Sequence, residues 1–160
     1  MDSSMKNMTL ALLVTLGLAA VPAASAQPVA SSPATNPARA APLGPSNFLD
    51  AALGVVGAVD RYEMAIVWDA SSPVMKASVP KDRFIANVAQ RRAVLGSIRT
   101  RDWVSVMRVP VAKASGSLPA GQYMSVRFAT VGQNGSTMEE VVSFSLDSDG
   151  QWRLAGYTIQ

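Results

Sequence analysis

The side chains that could perform chemistry in this chain are carboxylates, arginines and aromatic residues, because the sequence contains neither histidine nor cysteine. A Ser-His-Asp or Cys-His catalytic arrangement is therefore excluded, as are disulfides and metal sites built from imidazole or thiolate ligands. The sequence also has no glycine-rich phosphate loop and no nucleophile elbow. Any acid–base chemistry falls to Asp, Glu, Lys or Tyr, and we predict no cofactor and no metal site.

Glu140 is the first candidate for such chemistry. Apolar residues follow it at every second position as far as Leu146, so the carboxylate lies on the apolar face of a predicted strand. A buried carboxylate has a raised pKa and could act as a general acid or base. The pattern leaves a second interpretation open, in which Glu140 lies at the rim and forms an ion pair with an arginine such as Arg92 or Arg153.

Five further residues are candidates for a ligand pocket or an anion clamp. Asp69 follows Trp68 at the end of a predicted helix, and Trp152 lies in the closing strand. Arg92 and Arg101 could hold an anionic ligand through bidentate hydrogen bonds. Each has a structural alternative: a surface or capping role for the aspartate, a tie between helix and sheet for the arginines, and core packing for the aromatic residues.

Four strands are predicted after Gly96, because the spacing of apolar residues changes there from about 3.6 to 2. The predicted strands are Arg99 to Val111, Gln122 to Val131, Met138 to Leu146 and the segment from Trp152 onward. Asn134-Gly135 and Asp149-Gly150 predict tight hairpin turns, since these residues tolerate the positive φ that such turns demand.

Alternation within the strands assigns residues to the two faces of the sheet. In the closing strand it places Trp152, Leu154 and Gly156 on one face and Arg153, Ala155, Tyr157 and Ile159 on the other. Aromatic residues and arginine are enriched in protein interfaces. The predicted interface residues on one strand face are therefore Tyr123, Arg127, Arg153 and Tyr157.

Three helices are predicted before the strands. The first begins after Ser46 as its N-cap, and the second stops at Ser71-Ser72-Pro73, because a residue before proline disfavours the helical conformation. The third begins near Ser78-Val79-Pro80 and is closed by Gly96. Helices followed by hairpin-linked strands indicate an α+β fold, with the three helices packed on one face of a four-stranded antiparallel sheet.

The N-terminal residues have the pattern of a secretory signal peptide. Lys6 precedes an apolar run from Leu10 to Ala20, and Ala24-Ser25-Ala26 supplies a small-x-small cleavage site. The apolar run is shorter than the roughly 20 residues that a membrane span needs. We therefore predict a signal peptide over residues 1–26, cleavage near Ala26, and a periplasmic or secreted protein with no membrane span after cleavage.

The segment after the signal peptide differs in composition from the rest of the chain. Residues 27–45 are rich in Pro, Ala and Ser, which predicts a linker, and residues 46–160 are predicted to form a single domain. The net charge is +3, but only 16% of the residues are charged and the basic ones are dispersed. A nucleic-acid-binding protein would show a denser basic stripe, so we expect no nucleic-acid partner.

Several residues and short motifs are spread over the predicted domain: Trp68-Asp-Ala-Ser71, Phe84, Arg92, Leu95-Gly96, Arg101, Gly121-x-Tyr123, Phe128, Glu140-x-Val142 and Asp149-Gly-x-Trp-Arg-x-Ala-Gly-Tyr157. Together they resemble the pattern of the exported bacterial domains grouped as DUF4019. The resemblance covers the chain from about Phe48 to Gln160 and implies a cone similar to nuclear transport factor 2 (NTF2) or cystatin, in which helices line a curved sheet. It implies no activity, because the function of the family is unknown and a fold alone does not supply one.

These observations predict a non-catalytic binding or accessory domain of the bacterial cell envelope. Its partner is another envelope protein or a second copy of the chain, as a homodimer, bound across the open face of the sheet. The alternative is an NTF2-like small-molecule-binding protein or enzyme that uses Glu140 or Asp69 in an enclosed pocket. Bulky side chains that fill the space beside Glu140 would count against the alternative; these are Met124, Phe128 and Phe144.

Overall fold

The computed structural model describes residues 43–116 and 118–160, so the predicted signal peptide and all but the end of the predicted linker lie outside the described residues. The described chain forms helices followed by strands, as predicted for an α+β fold. The helices are α1 (Pro45–Asp60), α2 (Met64–Asp69), α3 (Pro73–Ser78) and α4 (Lys81–Leu95). The strands are β1 (Ile98–Val111), β2 (Gly121–Gly132), β3 (Thr137–Leu146) and β4 (Trp152–Ile159).

The four strands form one antiparallel sheet in the order β1-β2-β3-β4, so β1 and β4 are its edges. Gly135 and Gly150 have φ values of 83° and 78°, as predicted for the two hairpin turns, whereas Asn134 and Asp149 do not have a positive φ. The helices cover one face of the sheet, which we call the inner face, and the opposite face is the outer face. No helix in the described part of the chain is long and apolar enough to cross a membrane.

Helix α1 packs on the sheet through one apolar stripe. Phe48, Ala52, Val56 and Val59 are buried, as the three- and four-residue spacing requires. Its start differs from the prediction, because the N-cap is Gly44 and not Ser46. The Asn47 side chain accepts a hydrogen bond from the Gly44 backbone N–H at 2.9 Å, an interaction that the sequence pattern alone did not reveal.

The region between α1 and α4 contains two short helices, where the sequence analysis predicted one. Helix α2 ends before Ser71-Ser72-Pro73 as expected. Pro73 then begins α3, since proline is well tolerated in the first turn of a helix. The Ser72 hydroxyl accepts a hydrogen bond from the Met75 backbone N–H at 3.2 Å and serves as the N-cap. The same proline therefore ends one helix and starts the next.

The core lies between the helices and the inner face of the sheet. Helix α4 is closed by Gly96, which has a φ of 62°, as its sequence predicts. Its N-cap is Pro80, at the end of the Ser78-Val79-Pro80 segment near which the helix was predicted to begin. The fully or nearly fully buried core side chains from the sheet are Met124, Val126, Phe128, Val142, Phe144, Leu154, Tyr157 and Ile159.

A β-bulge in β4 reverses the predicted faces of the end of that strand. Gly156 pairs with Ser143 and Leu154 pairs with Phe144, so Ala155 is an extra residue in the ladder. Simple alternation placed Tyr157 opposite to Leu154, and this prediction was wrong. Because the bulge shifts the alternation by one residue, Tyr157 and Ile159 lie on the inner face with Trp152 and Leu154. Gly156, an isolated glycine within a strand pattern, is the sequence signal that could have indicated the bulge.

A second bulge, at Val104 in β1, also shifts by one residue the alternation of side chains between the two faces. Trp103 pairs with Phe128 and Ser105 pairs with Arg127, so Val104 is left out of the ladder. Simple alternation along β1 would place Trp103 and Ser105 on the same face, which this register contradicts. Trp103 lies on the Phe128 side of the sheet, but β1 is an edge strand and 61% of the Trp103 surface is exposed.

Candidate functional site

Glu140 lies on the inner face of β3 and is completely buried. The Tyr157 hydroxyl, from β4, donates a hydrogen bond to Glu140 Oε2 at 2.6 Å. Arg101, from β1, donates to Glu140 Oε1 from Nε at 3.0 Å and approaches it with Nη2 at 2.9 Å. Both carboxylate oxygens therefore have partners, and the predicted apolar-face position of Glu140 is confirmed.

Arg101 continues the network toward the helices. Its Nη1 and Nη2 donate to Asp60 Oδ2 at 2.8 Å and to Asp60 Oδ1 at 3.1 Å. Asp60, at the end of α1, also accepts a hydrogen bond from Arg92 Nε at 2.9 Å. Arg92 Nη1 in turn donates to the backbone carbonyl of Gly96. We call the five side chains of this network the ionic chain; they are Tyr157, Glu140, Arg101, Asp60 and Arg92.

The ionic chain balances two arginines against two carboxylates, and burial makes that balance necessary. Burial opposes ionisation of Asp60, but hydrogen bonds and charges from Arg101 and Arg92 outweigh it, so the pKa of Asp60 is lower than its ordinary value. Burial likewise lowers the pKa of Arg101, yet Asp60 and Glu140 together raise it above its ordinary value. Burial is the largest cause that raises the pKa of the Tyr157 hydroxyl well above its ordinary range, and the adjacent Glu140 carboxylate raises this pKa further. Tyr157 therefore keeps its proton and donates a hydrogen bond to Glu140.

Asp60 is the member of the ionic chain that the sequence analysis missed as a site residue. A signal for it existed, because a carboxylate in the last turn of a helix faces the negative end of the helix dipole and is unfavourable without a nearby cation. Two cations, Arg101 and Arg92, meet this requirement. Arg101 was predicted to tie a helix to the sheet or to clamp a ligand, and in the structure it links β1 to α1 and β3.

The ionic chain can hold elements of the fold together, but its geometry does not favour proton transfer to a substrate. Glu140 has no exposed surface, and its oxygens are occupied by Arg101 and Tyr157. The three bulky side chains that would have to leave space for a pocket beside it are instead buried in the core; they are Met124, Phe128 and Phe144. Glu140 forms a structural ion pair, although its partner is Arg101 and it is buried and not at a rim.

The remaining pocket candidates do not gather around Glu140. Asp69 is exposed and pairs with Lys81, whose Nζ lies 2.7 Å from the carboxylate. Trp68 donates a hydrogen bond from its ring N–H to the Val79 carbonyl at 3.1 Å. Trp152 packs edge-on against Phe48, with 4.9 Å between ring centroids. Of the other predicted candidates, Arg101 joins Glu140 directly and Arg92 joins the same network through Asp60 and Arg101.

The outer face of the sheet carries the predicted interface residues, with one exception. Arg127 and Arg153 lie there, and Tyr123 does too, although its hydroxyl bonds to the Pro119 carbonyl at 2.9 Å and its ring is buried. Tyr157 was predicted on this face, which the structure contradicts, because the bulge at Ala155 turns it inward to Glu140.

The strand register arranges the outer face in rows across the sheet. One row consists of Ser105, Arg127, Val141 and Thr158, and the next consists of Met107, Ser125, Ser143 and Gly156. The second row has small side chains at three of its four positions, beside Met107, which is 46% exposed. The outer face thus has mixed polarity and includes the Arg127–Glu139 ion pair.

Within residues 43–116 and 118–160, no group of three or more metal-ligating side chains comes together in a way that could hold a metal ion. The buried ionic chain pairs each of its carboxylates with arginine, so the described site offers no free ligand oxygens for a cation.

Comparison with known proteins gives a family but no characterised relative. The family described as "Protein of unknown function (DUF4019)" matches residues 51–157, which include all five side chains of the ionic chain. No curated protein and no solved structure matches the chain. The match spans the folded part from α1 to β4, and the chain belongs to the DUF4019 family.

Proposed function

We propose that this protein is an exported, non-catalytic binding or accessory domain of the bacterial cell envelope, and that its partner docks on the outer face of the sheet. Export is supported by the signal-peptide pattern of residues 1–26. The finer fold that we propose, an NTF2-like or cystatin-like cone, is supported by helices on one face only of a bulged antiparallel sheet.

The observation that carries the proposal is the contrast between the two faces of the sheet. The inner face is filled by core side chains and by the ionic chain, whereas no described helix covers the outer face. Antiparallel sheets with one solvated face usually carry polar residues there. Here the outer face also presents Met107 and Val109, which are 46% and 38% exposed, beside the half-buried Val141. Arginine beside exposed apolar side chains suits a protein partner.

The enzymatic alternative lacks a comparable observation. A general acid or base must come within hydrogen-bond reach of a substrate proton. Glu140 is inaccessible and fully bonded, and Asp69 pairs with Lys81 on the surface. The proposal is therefore a binding function with either of two partners, another envelope protein or a second copy of the chain.

Native mass spectrometry of the mature protein, purified from the periplasm, tests the proposal. We expect a complex with a partner or a homodimer, and we expect the variant Ser143→Arg to abolish it by placing a large charge at the centre of the outer face. The matched control is Ala86→Arg, on the exposed side of α4, which should leave the complex intact. A monomer in both variants and in the parent protein, or a complex that Ser143→Arg leaves unchanged, would refute docking on the outer face.

A further inference from the structure

A groove separates the edge strand β4 from helix α4 and from the end of α3. The wall on α4 is one helical face, Phe84, Asn87, Val88 and Arg91, at spacings of three and four residues. Met75, Ser78 and Val79 close the groove on the side of α3, and residues 155–160 form its wall on β4. Its volume is about 600 Å3, which lies within the range of sites that bind ligands.

The backbone of β4 presents unpaired polar groups to this groove. Gln160 exchanges both backbone hydrogen bonds with Glu139, at 2.8 and 2.9 Å. Because bonded and non-bonded pairs alternate in an antiparallel ladder, Thr158 also turns its N–H and C=O toward β3, and Tyr157 and Ile159 turn theirs away from β3. In the described part of the chain, neither of these two residues makes a backbone hydrogen bond on that outward side.

The free stretch of the edge has a defined beginning. The Leu154 carbonyl accepts a hydrogen bond from the Ser72 backbone N–H at 2.8 Å, so the N-cap of α3 occupies the edge at that point. Beyond it, from Ala155 to Gln160, the edge borders the groove. Six residues of extended chain span about 20 Å, which suits a short strand. An uncovered strand edge of this kind is a template for pairing with another chain.

We infer that this groove binds an extended peptide segment of another protein, which adds to β4 as a fifth strand of the sheet. Main-chain hydrogen bonds to Tyr157 and Ile159 would supply affinity, and side-chain pockets would supply specificity, as in other cases of strand addition. One apolar side chain of the peptide packs against the apolar part of the groove, which consists of Met75, Phe84 and Val88.

The charge of the groove specifies the peptide further. Arg91 is the only charged residue among those that line the groove, and it forms no ion pair within the described residues. An acidic side chain or a terminal carboxylate of the peptide would pair with it. A second copy of β4 in the same position would bring a second Arg91 to the shared groove, and the like charges would repel. The charge therefore favours an acidic peptide over self-pairing at this edge.

Selection of peptides from a random library displayed on phage, with the mature protein as bait, provides the probe. We expect the enriched sequences to combine apolar residues at alternate positions with an acidic residue. Synthetic versions of the best sequence should lose binding when alternate backbone nitrogens are methylated along one edge, and should keep it when the other edge is methylated, because only one edge of an added strand faces β4.

Amide hydrogen exchange observed by NMR locates the peptide. In the free protein the Tyr157 and Ile159 amides should exchange at least tenfold faster than the Thr158 amide, which bonds to β3. Saturation with the selected peptide should slow the first two at least tenfold and leave Thr158 nearly unchanged. A ligand that merely fills the groove would not protect the two alternate amides together. Peptide binding without protection of both amides would therefore overturn strand addition.

Two pairs of substitutions on the exposed side of α4 complete the test. Asn87→Trp, which fills the groove, and Arg91→Glu, which reverses its charge, should each raise the Kd for the selected peptide at least tenfold. The controls Ala86→Trp and Arg83→Glu place the same changes outside the groove and should leave the Kd within twofold.

The inference is overturned if no peptide is enriched, if the groove variants bind as well as their controls, or if Tyr157 and Ile159 become protected with rising protein concentration alone. The last result would assign this edge to a second copy of the chain. Ser143→Arg should leave peptide binding unchanged, because Ser143 lies on the outer face. The proposal of peptide binding in the groove and the proposal of docking on the outer face can therefore be refuted independently.

Discussion

Two neighbouring residues of β3, Glu139 and Glu140, form the same kind of ion pair on opposite faces of the sheet. Glu140 points inward and pairs with Arg101; the two side chains are 0% and 13% exposed. Glu139 points outward and pairs with Arg127, and these side chains are 29% and 42% exposed. The residue types are identical, so any difference in their importance comes from burial.

Burial changes what the loss of one partner costs. An exposed ion pair exchanges its partner for water at little cost, and such pairs typically stabilise a protein by at most about 1 kcal/mol. A buried charge has no water to replace its partner, so breaking a buried pair costs about 3–5 kcal/mol. The inner pair should therefore be essential for folding, while the outer pair is free to serve binding.

The largest effect is expected for substitution of the inner glutamate. Glu140→Ala leaves Arg101 with only Asp60 as a partner and Tyr157 with no acceptor, and should lower the free energy of unfolding by about 3–5 kcal/mol. Glu139→Ala, one residue earlier, should lower it by far less, because water can replace the lost partner of an exposed ion pair. Urea unfolding followed by tryptophan fluorescence measures both. Equal losses in the two variants would contradict the argument from burial.

Asp60 should make the stability of the protein depend on pH. Its pKa is lower in the folded protein than its ordinary value near 3.8, so its contribution is fully present above that value and is lost as the pH falls through the folded pKa. Asp60→Asn should destabilise the protein by about 1.5–3 kcal/mol at pH 7, the range for a hydrogen bond to a charged group.

The difference between the parent protein and Asp60→Asn should be constant from pH 7 to about pH 5 and should shrink below about pH 4. Unfolding curves at several pH values measure it. The control is Asp50→Asn, at an exposed position of α1 whose side chain makes no hydrogen bond or ion pair within the described residues, and it should leave the unfolding curves nearly unchanged. A difference that grows as the pH is lowered would show that the sign of the Asp60 effect is wrong.

The Tyr157 hydroxyl offers a smaller test of the inner pair. Tyr157→Phe removes the 2.6 Å hydrogen bond to Glu140 but leaves Arg101 in place, so we expect a loss of about 1–2 kcal/mol. Tyr62→Phe, at a residue that is 72% exposed, is the control and should have no measurable effect. A neutral result for Tyr157→Phe would mean that water or another donor replaces the hydroxyl.

The smallest effect is expected on the outer face. A double-mutant cycle of Arg127→Ala and Glu139→Ala should give a coupling free energy that is much smaller than the one between Arg101 and Glu140. The coupling should fall further in 1 M salt, because exposed charges are screened at that ionic strength. Unfolding by urea at two salt concentrations measures it. A coupling as large as that between Arg101 and Glu140 would remove the distinction between the two faces.

Sequence reasoning succeeded where the controlling interaction is local. Positive φ at Gly135 and Gly150 follows from the turn type, and the buried stripe of α1 follows from its spacing. It failed at Tyr157, because the outcome of an alternating pattern depends on whether the ladder contains an extra residue, here Ala155. It also missed α3, since Pro73 both ends a helix and can begin one.

The candidate site was predicted only in part, for a similar reason. The apolar pattern around Glu140 indicated a buried carboxylate correctly, but the identity of its partner depends on which strands and helices pack together. Arg101 lies 39 residues before Glu140 in the sequence, and Asp60 lies 41 residues before Arg101. No local pattern encodes contacts over such separations.

The sequence by itself determined the α+β order, the hairpin turns and the exclusion of histidine and cysteine chemistry, because these depend on composition, local spacing and the φ preferences of single residues. Only the tertiary structure decided which arginine pairs with Glu140, which way Tyr157 points, and where the edge of β4 meets α4 to form a groove. These features arise from the packing of distant segments, and packing selects among the alternatives that local physics leaves open.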